Sequence, residues 1–581
     1  MADSATNDLI QNQGAARPRK GNQRPKLIAP RLQTMFSLPR ETLLSQTWRS
    51  LAQPIYASRF YGWALGNRSS GDLAVTPLEV WPGDEQAGLH LLGGEYRYGC
   101  EVVRSPKPLG NPIGTSLAWR GWVNGFAWLA DLRACGGPAA RQLARQLTQQ
   151  WLDENPGYDG FAWRSDILAA RLRQILLHHP FLEVQTDALF RSALLYSLNR
   201  QTAHLARALP DGLAGSALLK AASVLMMAGA MLPQGEDYLA RGRRVFAQEI
   251  GKQMLADGGH VERSPGVILD LLQHFLDLRQ ILTLARQPLP DHLQIAIENL
   301  GAVLHMLCHG DGRLALFNDT NEETPELLSL VFSRIGGERE RHLTQLPLTG
   351  FQRLQAGKAL VIMDCGAPPR HGLDHHAHAG TLSFEMSYGA DRMIVNCGAG
   401  HPSAPEWRQV QRATAAHSTL VVDDTNSSML LDHGGMALIP TIVTSRRDET
   451  DGQIWLDTSH NGYEESFGLV HRRRLFLASD GSELMGEDAL SGTGGNAFAL
   501  RFHLHPQVQA SITQNGQTAL LKLPGGSGWR MRIQGADIAL AESIYMGQRG
   551  QVRRSQQLVV LGMIDSDSTT VKWAFQKEGG K

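Results

Sequence analysis

The hydrophobic period of this chain changes near residue 346. Before that point apolar residues recur at helical spacing, as in "VILDLLQHFLDLRQIL", where Ile268, Leu271 and Phe275 fall on one face. Beyond it they alternate with polar residues, as Leu382 and Phe384 do in "TLSFEMSY". A chain of 581 residues is too long for a single core, so the change of period predicts two domains of different class.

The segments between the periodic stretches refine this prediction. Turn-forming pieces such as "LPDGLAG", "LPQGED" and "RQPLPDH" separate the helical stretches and favour an array of antiparallel helices. Many short strands separated by Gly, Asn and Asp favour an antiparallel β-sandwich. We therefore predict a multi-domain α+β protein with a disordered basic tail over residues 1–40, a helical domain over 41–345 and a sandwich over 346–581.

Composition excludes several classes of protein. Lys+Arg and Asp+Glu both number 56, so the balance of charge gives no reason to expect nucleic-acid binding. The five cysteines form no CxxC pair, which argues against a disulfide framework or a structural zinc site of the usual cysteine type. The amino terminus lacks the apolar core of a signal peptide, and the sequence contains no transmembrane-length apolar run. These features predict a cytoplasmic location.

The stretch "HGLDHHAHAGTLSFEMSY" places four histidines within eight residues, directly before a predicted strand. Side chains at positions i and i+2 of an extended segment point to the same side, so His376 and His378 can share one side of the chain. The stretch is consistent with a functional site at the rim of a sheet. A histidine-rich polar loop is the alternative.

The region that contains this stretch resembles the carboxy-terminal region of the heparinase II/III family. The resemblance lies in His378-Ala-Gly380, Ser383-Phe-Glu385, Asn396-Cys-Gly398, Arg408 and His417-Ser-Thr419, and it continues through "HNGYEESFGLVHRRRLF" and "RFHLHP". The helical half adds "DGGHVERSP" and "HGDGRLALFNDT". The resemblance implies an (α/α) toroid followed by an antiparallel sandwich, with a cleft for an acidic polysaccharide or oligosaccharide, as in relatives that cleave heparin or alginate.

The chemistry that the resemblance implies is β-elimination at a uronic acid. Such a reaction needs a group that neutralises the carboxylate, a base for the C5 proton and an acid for the leaving O4. By resemblance, His376 matches the histidine that faces the uronate carboxylate. His378, Asn396 and His417 match positions at which family members hold zinc or a similar ion, although Asn396 replaces an aspartate and removes a negative charge.

The helical half departs from the family pattern. Asp211-Gly212 stands where the family has Asn-His, and Val267-Ile268 stands where it has Tyr-His, so the usual acid and the helical neutraliser are both missing. Arg263 and Arg164 are candidate replacements because a guanidinium pairs with a carboxylate in bidentate fashion. Tyr463 is the candidate acid or base on the sheet side.

Three functional hypotheses follow. The first is a polysaccharide lyase-like enzyme that cleaves a uronate-containing glycan, with catalytic residues His376, Arg263, Arg164 and Tyr463. The second is a catalytically silent or repurposed glycan-binding protein on the same fold. The third is a hydrolase that uses Asp211 and Glu262 as a carboxylate pair. The family resemblance also raises the periplasm as an alternative location.

Overall fold

The structure is a computed structural model. It describes residues 52–66, 71–104, 114–183, 187–336, 342–432, 434–513, 516–548, 550–565 and 567–579. The predicted basic tail at residues 1–40 lies outside these ranges. No helix among the described residues is long and apolar enough to cross a membrane.

The amino-terminal half is helical, as the period predicts, and carries one β-hairpin. Its elements are α1 (Arg59–Ala64), α2 (Glu85–Leu92), the hairpin strands β1 (Glu95–Tyr98) and β2 (Glu101–Arg104), α3 (Leu117–Asn124), α4 (Trp128–Cys135), α5 (Gly137–Glu154), α6 (Ser165–Leu182), α7 (Ala188–Ala208), α8 (Gly215–Met231), α9 (Glu236–Gln253), α10 (Pro265–Leu284), α11 (Leu293–Met306) and α12 (Pro325–Ile335).

Helix α8 shows why these helices assemble. Its sequence is apolar on nearly every side, and it packs against α6, α9 and α10, so that most of its residues are fully buried. Small residues permit the closest approach: a Cβ on Gly242 of α9 would lie 2.6 Å from the Met226 side chain of α8. The helical half thus buries its apolar surface between neighbouring helices rather than on a sheet.

The carboxy-terminal half consists of strands and short helices. These are β3 (Gln345–Leu346), β4 (Phe351–Ala356), β5 (Ala359–Asp364), β6 (Phe384–Tyr388), β7 (Asp391–Val395), α13 (Glu406–Arg412), β8 (Leu420–Val422), β9 (Val443–Thr450), β10 (Gln453–Tyr463), α14 (Glu464–Phe467), β11 (Leu469–Leu477), β12 (Glu483–Gly492), β13 (Ala497–Leu504), β14 (Gln509–Ile512), β15 (Thr518–Lys522), β16 (Gly528–Gln534), β17 (Ile538–Tyr545), β18 (Arg553–Met563) and β19 (Ser568–Lys577).

Two antiparallel sheets form the sandwich. One has eight strands in the order β14-β15-β16-β19-β12-β11-β10-β9, and the other has nine, in the order β17-β18-β13-β7-β6-β5-β4-β3 with β8 paired to β13. Alternate side chains of both sheets meet in a shared core, where Phe384 of β6 stacks on Trp573 of β19 at 5.7 Å between ring centroids. The predicted fold class, helical toroid followed by antiparallel sandwich, is confirmed.

The segment between α11 and α12 connects the helical half to the nine-stranded sheet through buried polar groups. Glu385 of β6 accepts hydrogen bonds from the backbone N–H of Leu316 at 3.1 Å and from that of Asn396 at 2.8 Å. His309 Nε2 lies 3.0 Å from the same carboxylate. Since these groups are almost fully buried, the contact fixes how this segment lies against the sheet.

The same segment carries Glu322, from which we predict acid sensitivity. Burial opposes ionisation, but neighbouring His505 and Arg392 and the hydrogen bond from the Tyr545 hydroxyl lower the pKa of Glu322 to about 2. A depressed carboxyl pKa stabilises the fold above the unfolded value of 4.5 and loses that contribution as pH falls towards about 2. The difference corresponds to about 3 kcal/mol. Urea unfolding at a series of pH values should show a flatter acid limb for Glu322→Gln than for wild type, and equal slopes would contradict this.

Candidate active site

A histidine–aspartate pair lies at the junction of the two halves. His376 Nδ1 is 2.9 Å from Oδ2 of Asp319, a residue of the segment between α11 and α12. The His376 side chain is 33% exposed and Asp319 is 18% exposed. The histidine therefore remains accessible from solvent while its carboxylate partner is mostly enclosed.

Helix α13 holds the carboxylate of this pair from its other side. Gln411 Nε2 donates to Asp319 Oδ1 at 2.9 Å, and Arg408 Nη1 lies 3.9 Å from Asp319 Oδ2. Burial alone would raise the pKa of Asp319, but the hydrogen bond from His376 and the charge of Arg408 hold it well below its ordinary value. Asp319 is consequently ionised at neutral pH.

An ionised Asp319 determines the tautomer of His376. The carboxylate can only accept a hydrogen bond, so the imidazole proton resides on Nδ1 and the lone pair on Nε2. A base oriented in this way by a carboxylate is suited to general-base catalysis. The pair can therefore accept a proton at Nε2 of His376 and return it.

His378 and His417 lie behind this pair and form an ordered hydrogen-bond chain. The backbone N–H of Asp319 donates to His378 Nε2 at 3.1 Å, which places the proton of His378 on Nδ1. That nitrogen lies 3.2 Å from His417 Nε2, and His417 Nδ1 lies 2.8 Å from the Ala413 carbonyl oxygen. Burial lowers the pKa of His417 to about 4 and that of His378 well below its ordinary value, so both rings are neutral.

The hydrogen-bond chain through His378 and His417 does not fit the zinc site that the family resemblance implies. A metal between the two rings would require the proton on His378 Nδ1 to leave while Nε2 still accepts from Asp319, which makes the ring an imidazolate. The third expected ligand, Asn396, accepts a hydrogen bond from the Ser418 N–H through Oδ1 at 3.0 Å. Among the described residues no three His, Cys, Asp or Glu side chains are grouped as metal ligands.

Gly380 also belongs to this arrangement. A Cβ on Gly380 would lie 2.7 Å from Cδ2 and 3.0 Å from Nε2 of His417, so the histidine ring occupies the space that a side chain at position 380 would need. The family pattern has aspartate at this position. The loss of that carboxylate and the position of the His417 ring are therefore linked.

From this geometry we predict that the purified protein holds less than one zinc ion per chain. Adding zinc should leave the midpoint of thermal unfolding unchanged, because a metal that binds only the folded state would raise it. Elemental analysis before and after treatment with a chelator provides the measurement. One tightly held ion per chain that survives the chelator would contradict the prediction.

Arg263, predicted to pair with a sugar carboxylate, is buried between the two halves, and that prediction is wrong. Its Nε donates to the Thr349 carbonyl oxygen at 2.6 Å, its Nη1 to the Ala367 carbonyl oxygen at 2.7 Å, and its Nη2 to the Asp364 carboxylate. Since the guanidinium is committed to protein groups and only about 6% of the side chain is exposed, it cannot reach a ligand. Its role is to join the halves.

Tyr463, the predicted acid or base of the sheet side, lies in the sandwich core, so this prediction is also wrong. The residue is fully buried, and its hydroxyl donates to the Leu420 carbonyl oxygen at 2.9 Å. Desolvation raises the pKa of this hydroxyl above its ordinary value. A ligand on the protein surface cannot contact it.

A consequence is that Tyr463→Phe should affect stability and not activity. The substitution removes one buried hydroxyl and leaves the Leu420 carbonyl oxygen without this donor, which costs about 1 kcal/mol. Urea unfolding should register this loss, while any glycan-directed activity should equal that of wild type. A loss of activity without a loss of stability would restore Tyr463 as a functional residue.

Arg164 is accessible, but the structure pairs it with a neighbour. Its Nε and Nη2 donate to the two oxygens of Asp166 at 3.1 and 2.6 Å, and about 35% of its side chain is exposed. The carboxylate already occupies the fork that a sugar acid would use. That Arg164 binds a glycan therefore stays a prediction. Such binding would require Arg164 to leave its ion pair with Asp166.

The helical side of the junction presents two carboxylates that act as helix caps. Asp211 Oδ2 accepts from the Ser165 N–H and hydroxyl at the start of α6, at 3.3 and 2.8 Å. Glu262 accepts from the Ser216 N–H and hydroxyl near the start of α8, at 2.5 and 3.2 Å. These contacts satisfy the unpaired donors of two helix starts, so capping explains both residues without the hydrolase hypothesis.

The tryptophans of the early helices are mainly core residues. Trp119, Trp128 and Trp163 are each at most 3% exposed, whereas Trp122 of α3 is half-buried and stacks on Tyr98 of the hairpin at 5.5 Å between centroids. Of these four rings, only that of Trp122 is partly exposed and accessible to a ligand.

Two members of the site were missed by sequence reasoning. Asp319 and Gln411 form the carboxylate side of the pair, yet "HGDGRLALFNDT", which contains Asp319, entered the prediction only as part of the family resemblance. The signal available was the adjacent Asn318-Asp319, both of which adopt positive φ (49° and 63°), a backbone conformation for which Asn and Asp are enriched. Arg408 was matched to the family pattern without a role.

Comparisons with known proteins agree with this architecture. The family model "Heparinase II/III N-terminus" matches residues 138–334, and "Heparinase II/III-like, C-terminal" matches residues 338–574. A crystal structure of heparinase III is similar at a TM-score of 0.69 and 14% identity, over 94% of this chain and 93% of that one. Heparan sulfate lyase HepC from Pedobacter heparinus is similar at a TM-score of 0.57 and 15% identity, over 85% and 83%.

One relative in sequence has a name that does not refer to a glycan. The chain is 29% identical over 531 residues to FtsZ-localized protein C of Caulobacter vibrioides, which covers 87% of this chain and 91% of the relative. At 14–15% identity the solved structures establish the fold alone. Similarity alone therefore does not establish which reaction, if any, the site of this chain carries out.

Proposed function

The chain belongs to the heparinase II/III family, and from that premise we propose that it is a polysaccharide lyase-like enzyme that cleaves a uronate-containing glycan by β-elimination. The observation that carries the proposal is the 2.9 Å contact between His376 Nδ1 and Asp319 Oδ2, which fixes an accessible imidazole as a base. His376 is also the residue that the family pattern assigns to the uronate.

The proposed reaction transfers one proton in each of two steps. His376 Nε2 takes the proton from C5 of the uronate, the C5–H electron pair forms the C4–C5 double bond, and the C4–O4 bond breaks. The resulting imidazolium, stabilised by Asp319, gives its proton to O4 when both groups leave from the same face of the sugar. A single histidine thereby serves as both base and acid. The helical half lacks the family's usual acid, because Val267 stands in its place.

The uronate carboxylate must be neutralised for its C5 proton to become acidic. Arg408 provides a positive charge beside the pair, because its Nη1 lies 3.9 Å from Asp319 and its Nη2 donates to the His375 carbonyl oxygen at 2.8 Å. About 30% of the side chain is exposed. We propose that Arg408 faces the carboxylate in place of Arg263.

The second candidate function is a glycan-binding protein without lyase activity. The commitment of Arg263 and Tyr463 to the protein interior favours it, because two of the four predicted catalytic groups are absent from the cleft. The similarity to FtsZ-localized protein C favours it as well, since that name describes localisation with FtsZ rather than glycan chemistry.

A panel of acidic glycans separates the two candidates. Wild type and His376→Ala are incubated with heparan sulfate, heparosan, chondroitin, hyaluronan and alginate, and the ultraviolet absorbance of an unsaturated uronate is followed. The lyase proposal expects a rise with wild type and none with His376→Ala. Binding to a glycan of the panel with no rise in absorbance would favour the second candidate.

A further inference from the structure

We propose that the β1–β2 hairpin closes one end of the glycan cleft, so that the protein engages the ends of glycan chains rather than their interior. The inference rests on the proposed function, since it concerns how the same cleft takes its ligand. The contact in question, which we call the clasp, consists of Tyr98, Gly99 and Cys100 of the hairpin against His401 and Ser403 of the sheet half.

The clasp is a close contact of backbone with side chains. The Cys100 N–H donates to Ser403 Oγ at 3.3 Å, Cys100 Sγ lies 3.4 Å from the same oxygen, and the Tyr98 and His401 rings meet edge to face at 4.4 Å. A Cβ on Gly99 would overlap His401 Nδ1 and Ser403 Oγ. The φ of Gly99 is 60°, a conformation that glycine adopts without strain. The absence of a side chain at position 99 therefore lets the turn pack directly against His401 and Ser403.

The turn of the hairpin also contacts the helical half, through the residues on either side of Gly99 and Cys100. Glu101 of β2 accepts from the N–H and hydroxyl of Ser116, which caps α3, both at 2.7 Å. Tyr98 stacks on Trp122 of the same helix. Residues 98–101 therefore bridge α3 and the sheet half, and we call this bridging turn the crossbar.

The clasp adjoins the proposed catalytic pair. The loop that carries His401 and Ser403 leads directly into α13, and the N–H of Gly400 donates to Gln411 Oε1 at 2.5 Å. The same Gln411 side chain donates to Asp319 at 2.9 Å. One side chain thus separates the crossbar from the pair.

A crossbar in this position restricts which part of a polymer can enter. A linear glycan cannot pass through a continuous contact between the two halves unless that contact opens. With the clasp closed, the chain enters from the other side and stops at the hairpin, so a terminus lies beside His376. The stacked Tyr98 and Trp122 rings would then face the terminal sugar, in keeping with the role of aromatic faces as rigid contact surfaces.

The chain offers matched variants for the test. Ser403→Cys places a second sulfur beside Cys100, which is exposed, so that oxidation locks the clasp and reduction releases it. Cys100→Ser combined with Ser403→Cys cannot form the disulfide and serves as the control. Gly99→Ala opens the clasp, since its Cβ has no space in the closed arrangement. None of these substitutions touches His376, Asp319, Gln411 or Arg408.

The measurement is made in the His376→Ala background so that no chain is cleaved, and wild type here means an unchanged clasp. It compares how much of each heparosan fraction, of different mean length, the protein binds at equal glycan mass. An end-binding protein follows the number of chains, so doubling the mean length should halve the capacity for wild type and for oxidised Ser403→Cys. Gly99→Ala should bind in proportion to mass, independently of length.

Two results would overturn the inference: wild-type capacity that is independent of chain length, or loss of binding in oxidised Ser403→Cys that reduction restores and the control never shows. Failure of wild type to bind or cleave any glycan of the panel is a distinguishable outcome, because it would overturn the proposed function itself.

Discussion

Replacing His376 by alanine is expected to abolish detectable elimination while leaving the midpoint of thermal unfolding nearly unchanged. The imidazole supplies the group that takes the C5 proton, and alanine cannot accept it. General acid–base catalysis by one positioned side chain contributes about 10²–10⁴ in rate, and His376 serves as both base and acid. The fold should survive because the side chain is one-third exposed and Asp319 keeps its hydrogen bond from Gln411.

Two further substitutions make this expectation specific. Asp319→Asn keeps the size of the side chain but removes the charge that holds the proton on His376 Nδ1. In the serine-protease triad, the same change of the orienting carboxylate lowers turnover by about 10⁴. His375→Ala is the matched control: it lies next to His376, is exposed, and its contact with Arg408 runs partly through its backbone carbonyl oxygen. Initial rates and thermal midpoints of all three variants are compared with wild type.

The control variants also define what would contradict the account. Full activity of His376→Ala would remove the histidine from the chemistry. A loss of fold as its main effect would make the histidine cluster architectural and favour the glycan-binding candidate. Equal losses in His375→Ala and His376→Ala would show that the loop as a whole, rather than the oriented imidazole, is needed.

Replacing Arg263 by methionine should destabilise the protein by about 3–5 kcal/mol, because it leaves the buried carboxylate of Asp364 without its partner. The guanidinium also satisfies the carbonyl oxygens of Thr349 and Ala367, so the loss spans the contact between the two halves. Urea unfolding followed by circular dichroism measures the change. The double variant Arg263→Met with Asp364→Asn should recover part of the loss, since it removes the unpaired charge.

Arg164→Met provides the comparison for this effect. Its ion pair with Asp166 is about one-third exposed, and surface pairs of this kind contribute roughly 0–1 kcal/mol. Similar free energies of unfolding for the Arg263 and Arg164 variants would contradict the interpretation of Arg263 as a buried connection between the halves.

The architecture could be predicted from the sequence because it follows from local periodicity. Helix α8 reads as apolar on all sides and is buried on all sides, and β6 alternates and packs Phe384 into the sandwich core. Such patterns depend on which face of an element is buried, and that information is contained in a few consecutive residues. The family motifs added the order of the two halves.

The site was less predictable because it depends on contacts between distant segments. His376 was identified from its motif, but its partner Asp319 lies 57 residues earlier and becomes a neighbour only through the connecting segment. Nothing near Arg263 in the sequence indicates that its charge is paired, because the buried Asp364 with which it forms an ion pair is 101 residues away. His378 meets His417 because the chain turns before β6, where Leu382 has a φ of 63°.

The central claim is that the His376–Asp319 pair breaks a glycan by elimination, and product analysis in water enriched in heavy oxygen tests it most directly. Elimination adds no water, so mass spectrometry should find an unsaturated product that is lighter than the hydrolysis product by one water molecule and carries no solvent oxygen at the cleaved bond. The product should be absent with His376→Ala. Saturated products that carry one heavy oxygen, or no cleavage of any uronate polymer by wild type, would contradict the claim.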